Sequence, residues 1–264
     1  SSDLDHGWTV AMLVAYHCND ECIQLLLSTW SAAECNSTAQ DGDGRTAAMF
    51  VAQYCNDECM QLLLSTWSAS ECNSTAQEKV GCTVAMFVAR YCNDKSMQLL
   101  LSTWSAAECN STAQEKVGCT VAMYVAEQCG DDPMRLLLRT WTANEAKSRA
   151  QSNNGWTIAM DIAKNCSAEV VQLLLQTWSP KQCNSTTQNE HGWTFAMLVA
   201  RNCNDKSMQL LLTTWNAAEC NSTARYEDGW TVAMLVAYYC NDESMQLLLT
   251  TDRKSTRLNS SHLV

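Results

Sequence analysis

Cys18 and Cys22 stand four residues apart, a spacing that turns two side chains to the same side of a helix. Paired thiolates of this kind are ligands that zinc prefers, but a closed zinc site takes four ligands. Cys55 and Cys59 copy the pair, whereas further along the chain Ser96, Ser207 and Ser244 replace the second cysteine. No metal and no cofactor is therefore expected. The four histidines, His6, His17, His191 and His262, are scattered, and no nucleophile, base and acid recur together. No glycine-rich loop of the kind that cradles phosphate is present. Asn36-Ser37-Thr38 has the form of a glycosylation sequon and returns at Asn73, Asn110, Asn184 and Asn221. The copies come from one repeated loop, so a capping or loop role is expected. This stretch is not expected to be an enzyme; flanking sequence is a separate matter.

The element that positions these residues is a unit of 37 residues. Its glycine recurs as Gly7, Gly44, Gly81, Gly118, Gly155, Gly192 and Gly229, with no insertion or deletion. A period of this size marks a solenoid, in which no unit buries its apolar face alone. The repeats run 7–43, 44–80, 81–117, 118–154, 155–191, 192–228 and, in part, 229–251. Residues 1–6 read as the end of a preceding loop. The seventh copy breaks after Thr251, where Asp252 replaces the expected tryptophan. Residues 252–264 are expected to be an unstructured tail and carry the marks of a sequencing or assembly artefact; a natural polar tail is the competing reading.

The charge is −11 and the pI about 4.7. A nucleic-acid partner needs a basic footprint, and the basic residues form none. No apolar stretch has the length to span a bilayer, so neither partner is expected. The 16 cysteines fall largely into columns, one led by Cys18 and another by Cys35. Equivalent positions in stacked helices lie about 10 Å apart, beyond the roughly 7 Å a disulfide allows between Cα atoms. Reduced cysteines and a cytoplasmic setting follow as expectations, with the sequons leaving a secreted alternative.

Each repeat reads as two helices. Thr9 can cap the first, whose apolar face is Ala11, Val14 and Ala15, and which ends near Cys18. Asn19 or Asp20 can cap the second. Ile23, Leu26 and Leu27 form its buried stripe, with Leu25 in support from the flank, and it ends near Thr29 or Trp30. Ser31 and Glu34 have the spacing of a capping box, repeated to Asn216 and Glu219. This predicts a third, very short helical turn, with an irregular loop as the alternative.

The pattern Gly-x-Thr-x-x-x-x-x-Ala followed by Glu-x-x-x-Leu-Leu-Leu resembles the ankyrin repeat. Gly7, Thr9, Ala15, Glu21, Ile23, Leu26 and Leu27 match its positions, and repeat five matches best. Thr9-Val10-Ala11-Met12 replaces the family's Thr-Pro-Leu-His, and Cys18 stands where the family has a glycine between helices. The four residues beyond the family's period of 33 fall after the second helix, which puts the projecting finger in doubt. The resemblance implies an all-α, ankyrin-like solenoid of helix-turn-helix repeats. It also implies a partner surface along first helices and loops.

On that basis the expected function is a non-catalytic scaffold that binds another protein. The alternatives are the targeting region of a larger enzyme, such as a kinase or ubiquitin ligase, and a structural spacer. Trp30, Trp67, Trp104, Trp141, Trp178 and Trp215 occur in every full repeat and read as packing. The position after the glycine changes, as does the tenth position of the repeat, which suits recognition. The candidates there are Trp8, Tyr16, Arg45, Gln53, Arg90, Glu127, Trp156, Lys164, Trp193, Arg201, Trp230 and Tyr238. Tryptophan, tyrosine and arginine are the residue types that anchor interfaces.

Overall fold

A computed structural model of the chain describes residues 7–250; residues 1–6, Thr251 and the expected tail 252–264 lie outside them. Thirteen helices, α1 Val10–His17, α2 Asp20–Thr29, α3 Ala47–Tyr54, α4 Asp57–Thr66, α5 Val84–Tyr91, α6 Asp94–Thr103, α7 Val121–Gln128, α8 Asp131–Thr140, α9 Ile158–Asn165, α10 Ala168–Thr177, α11 Phe195–Asn202, α12 Asp205–Thr214 and α13 Val232–Tyr239, are joined by α14 at 242–250. No strand occurs among the described residues. The architecture is the all-α solenoid the period predicts. The chain divides into two compact units, residues 1–147 and 148–264. In the first, α1, α3, α5 and α7 stack in one layer, and α2, α4, α6 and α8 in another. In the second, α9, α11 and α13 form one layer, and α10 packs on α12 in the other.

Local chemistry sets the helix ends. Every first helix starts at a threonine whose hydroxyl accepts from the amide three residues on, as Thr83 does from Met86 (3.4 Å). Asn19, Asn56, Asn93 and Asn204 cap second helices in the same way. The aspartate that follows each cap ties one repeat to the next. Asp20 Oδ1 accepts from the Asn56 amide (3.0 Å), and Asp57 and Asp94 accept from Asn93 and Gly130.

The first helix is buried more fully than one apolar face implies. Ala47 to Ala52 are all buried, because neighbouring repeats enclose the helix from both sides. The first and last described repeats show which side chains do this. Val10 and Trp30 in repeat one are 46% and 44% exposed, while Val84, Val121, Trp67 and Trp104 are covered. In repeat seven Met234 is 47% exposed, and Met160 and Met197 are covered. The tryptophan column is therefore packing. Leu25, expected to support the core from the flank, is 66% exposed. Its copies Leu62, Leu99, Leu136, Leu173 and Leu210 are half-buried, as flank support requires, and Leu25 stands open, like Val10 and Trp30, where no described repeat precedes it.

The loop after the second helix holds the predicted third turn. Ser31 donates to Glu34 from its backbone and hydroxyl, and the Glu34 amide returns to Ser31 Oγ. These bonds hold the Glu34 carboxyl below its usual pKa range. The turn closes with Ser37 N donating to Ala32 O and Asn36 N to Ala33 O, while Asn36 sits at φ 47°. That is a Schellman close with asparagine in the left-handed position. The turn buries the second cysteine column, Cys35, Cys72, Cys109, Cys183 and Cys220, with Ala146 in its place in repeat four.

The Asn-Ser-Thr motif has its loop role here. Asn110 Nδ2 donates to Thr75 O (3.0 Å) and Asn73 to Thr38 O (2.8 Å), each reaching the preceding repeat. Ser37 and Ser74 donate forward to Glu71 O and Glu108 O. In repeat four Lys147 takes the asparagine's place at φ 47°, and its ammonium donates to Thr112 O (2.8 Å).

The finger, put in doubt by the longer period, persists as a short turn. Asp41 Oδ1 accepts from the amides of Asp43 and Arg45, and the Asp41 amide donates to Arg45 O. Glu78, Glu115 and Asn189 close their turns alike. Gly81 turns at φ 94°, with a Cβ position 2.9 Å from Glu115 Cα of the next finger, so only glycine fits.

The cysteine that replaces the family's inter-helix glycine has ordinary geometry. Cys92 is extended at φ −104°, so no left-handed residue is needed. Its thiol donates to Ala52 O (3.5 Å), a carbonyl near the end of the preceding first helix. Cys55, Cys129, Cys203 and Cys240 make the same contact. Burial pushes the thiols of Cys55, Cys92, Cys129 and Cys203 up to about 12. All 16 cysteines are free.

Candidate functional site

Enclosure by neighbouring repeats leaves little of a first helix open. In α3, α5 and α7 the residues up to the sixth are buried, and only the last two reach the surface. The fingers then bring the residue after the glycine against the first of these two. Within each unit the two variable columns thus come together, with a pair in most repeats.

In the first unit Trp8 meets Tyr16 edge-on (5.3 Å between centroids), and both lie against Phe50. His17 and Tyr54 extend this cluster from Tyr16, each 4.8 Å away. The Arg45 guanidinium lies 4.5 Å from the Phe50 ring centre and pairs with Asp41 (3.1 Å) and Asp43 (3.6 Å). Its charge is held within its own finger. A depression of about 390 Å³ follows, lined by Arg45, Gln53, Val80, Phe87, Arg90 and Tyr91 among others. Arg90 projects here beside Tyr91, 5.4 Å from its ring centre. Glu127 is exposed at the end of α7.

In the second unit Lys164 Nζ sits 4.7 Å above the Trp156 ring and Arg201 Cζ 5.1 Å above Trp193. Such cation–π contacts are worth about 0.5–1 kcal/mol at exposed sites and order long side chains. Trp193 also stacks on Tyr226 (4.2 Å, 13°). Trp230 meets Tyr238 edge-on at 5.7 Å, and Tyr238 is 69% exposed. Depressions of about 330 and 390 Å³ share His191, Trp193 and Arg201.

Phe50, Phe87 and Tyr124, which floor the surface of the first unit, lie outside the two variable columns, as do Tyr226 and the fingertip pairs. Lys79 Nζ meets Asp43 at 2.7 Å, and His191 Nδ1 meets Glu227 at 2.8 Å. Opposite charges 36 residues apart were the available signal. Glu227, by hydrogen bond and charge, raises the His191 pKa.

Cys18 and Cys22 are exposed, and no group of three or more metal-ligating side chains occurs among the described residues. No described helix is long and apolar enough to cross a membrane.

Comparison with known proteins accords with this geometry. The crystal structure of the ankyrin repeat domain of Bcl-3, a unique member of the IkappaB protein family, superposes with a TM-score of 0.54 at 16% identity. The match covers 92% of this chain and 99% of that one, a likeness of fold. No curated protein matches the chain. The family described as "Ankyrin repeats (3 copies)" matches residues 2–78, 122–224 and 160–262. With the threonine-capped helix pairs and their fingers, that match places the chain in the ankyrin-repeat family.

Proposed function

We propose that this chain is a non-catalytic recognition scaffold that binds another protein along the first-helix ends and fingers. Ankyrin repeats are generally protein–protein interaction modules. What supports the site assignment is the pairing of the two variable columns. Trp8 with Tyr16 in the first unit, and Trp156 with Lys164, Trp193 with Arg201 and Trp230 with Tyr238 in the second, set aromatic and cationic side chains on a frame that is otherwise nearly invariant. Each side chain is braced by its partner, so less rotamer freedom is lost on binding. The free, buried thiols support a reducing, cytoplasmic setting.

Photo-crosslinking tests the assignment. A benzophenone side chain placed at Gln53, Glu127, Lys164 or Arg201 should capture another polypeptide in the source cells. The same group at Ser28, Ser65 or Ser102, exposed on second helices, should capture far less. Capture confined to the second-helix positions would contradict the proposal.

A further inference from the structure

The depression of about 330 Å³ in the second unit is lined by Trp156, Lys164, His191, Trp193, Leu198, Arg201 and Asn202, with no carboxylate among them. In a chain of net charge −11 this is a local reversal of sign. The variable columns after the glycine and at the tenth position hold Arg45, Arg90, Lys164 and Arg201 but only one acid, Glu127. Arg45 is spent on Asp41 and Asp43, and His191 is engaged by Glu227 and Glu190. Lys164 and Arg201 differ: aromatic rings hold them, and neither makes an ion pair among the described residues.

The two cations sit at equivalent positions of α9 and α11, helices packed side by side, so they recur at the helix spacing of about 8–10 Å. An extended β-strand places residues three apart on opposite faces. A polyproline II segment places them on one face, at three steps of about 3.1 Å, or roughly 9 Å. The Trp156 and Trp193 rings with Leu198 supply flat apolar ledges between the charges, which suit the prolines of such a segment. A nucleic acid strand fits less well: it carries a phosphate at every nucleotide, and those beyond the two cations would face Glu190, Glu227 and Asp228, whereas a segment with a carboxylate at every third residue places neutral residues there.

We propose that this face binds an acidic polypeptide segment in the polyproline II conformation, with carboxylates three residues apart that meet Lys164 and Arg201. The proposal rests on the recognition surface described above and names its partner's chemistry.

A phage-displayed library of linear peptides, panned on the full chain, tests both levels. Clones are counter-screened on a Lys164→Gln/Arg201→Gln variant and on a Trp193→Ala variant, with far-UV circular dichroism to establish that each folds. Clones that fail on the double variant should be enriched in Asp or Glu at i and i+3. A synthetic (Glu-Pro-Pro)4 peptide, followed by fluorescence anisotropy, should bind the double variant at least tenfold more weakly, a loss of about 1.4 kcal/mol. The peptide (Gln-Pro-Pro)4 should bind the wild type equally weakly. Clones that need Trp193 but carry no acidic spacing would overturn the acidic partner and leave the recognition surface standing. Clones indifferent to both variants would count against the surface itself. Tighter binding of a dT12 oligonucleotide than of (Glu-Pro-Pro)4 would also overturn the proposal.

Discussion

Asn110 carries two separable energies, and substitution there predicts a ranked series. Its backbone is left-handed at φ 47°, and its side chain donates to Thr75 O across the repeat boundary at 3.0 Å. A left-handed conformation costs an ordinary L-residue roughly 1–2 kcal/mol, with asparagine tolerant of it. An exposed hydrogen bond of this kind contributes about 0.5–1 kcal/mol net. Asn110→Ala loses both and should cost about 1.5–3 kcal/mol, a fall of roughly 3–9 °C in Tm for an array of this size. Asn110→Gly keeps the backbone unstrained and loses the bond, so about 1 kcal/mol is expected. Asn110→Lys should lie near glycine, because Lys147 shows that an ammonium at this position reaches the same carbonyl. Lys147→Asn should then stabilise, by about 1 kcal/mol. Thermal unfolding of the five proteins, followed by far-UV circular dichroism and tryptophan fluorescence, reads the order. Glycine as costly as alanine would refute the backbone argument. Alanine as stable as asparagine would refute both arguments.

Thr83→Ala removes a fully buried cap from α5 and should cost about 1–2 kcal/mol in urea unfolding, whereas Thr83→Ser should cost less than half as much; equal losses would mean the hydroxyl is not the source. The raised His191 pKa implies a fingertip contact fully present below the ordinary histidine value of about 6.5 and lost as pH rises through the folded value. In an NMR titration Glu227→Gln should lower the His191 midpoint, and an unmoved midpoint would exclude Glu227 as the cause. Iodoacetamide at pH 8 should label exposed Cys18 and Cys22 well before Cys92 or Cys109, whose thiols burial holds protonated. Peptide mapping that finds equal rates would contradict the covering of Cys92 and Cys109.

Much of the fold was legible because it rests on contacts three or four residues long. The threonine and asparagine caps and the Ser31/Glu34 box are of this kind. The third turn followed from the box, but not its left-handed close, since asparagine at 36 reads equally as a sequon. The candidate site was half legible. Variation marked Trp193 and Arg201, but nothing local indicated that a cation 8 residues on would lie over the ring. Leu25 marks another limit: its flank position was legible, but its cover comes from a neighbouring repeat, which half-buries Leu62 and Leu99 and leaves Leu25 open.

The period, the helix pair and its ends are written in the chain, since these depend on φ/ψ preference and hydrogen bonds within a turn. The tertiary structure decided everything that joins residues 34 to 40 apart: the Asn110 to Thr75 bond, the Cys92 thiol on Ala52 and the His191 to Glu227 pair. It also decided that only the last two residues of α3, α5 and α7 stay open. The physical reason is that a repeat without its neighbours has no inside. Burial, and with it the surface left for a partner, exists only once the units stack.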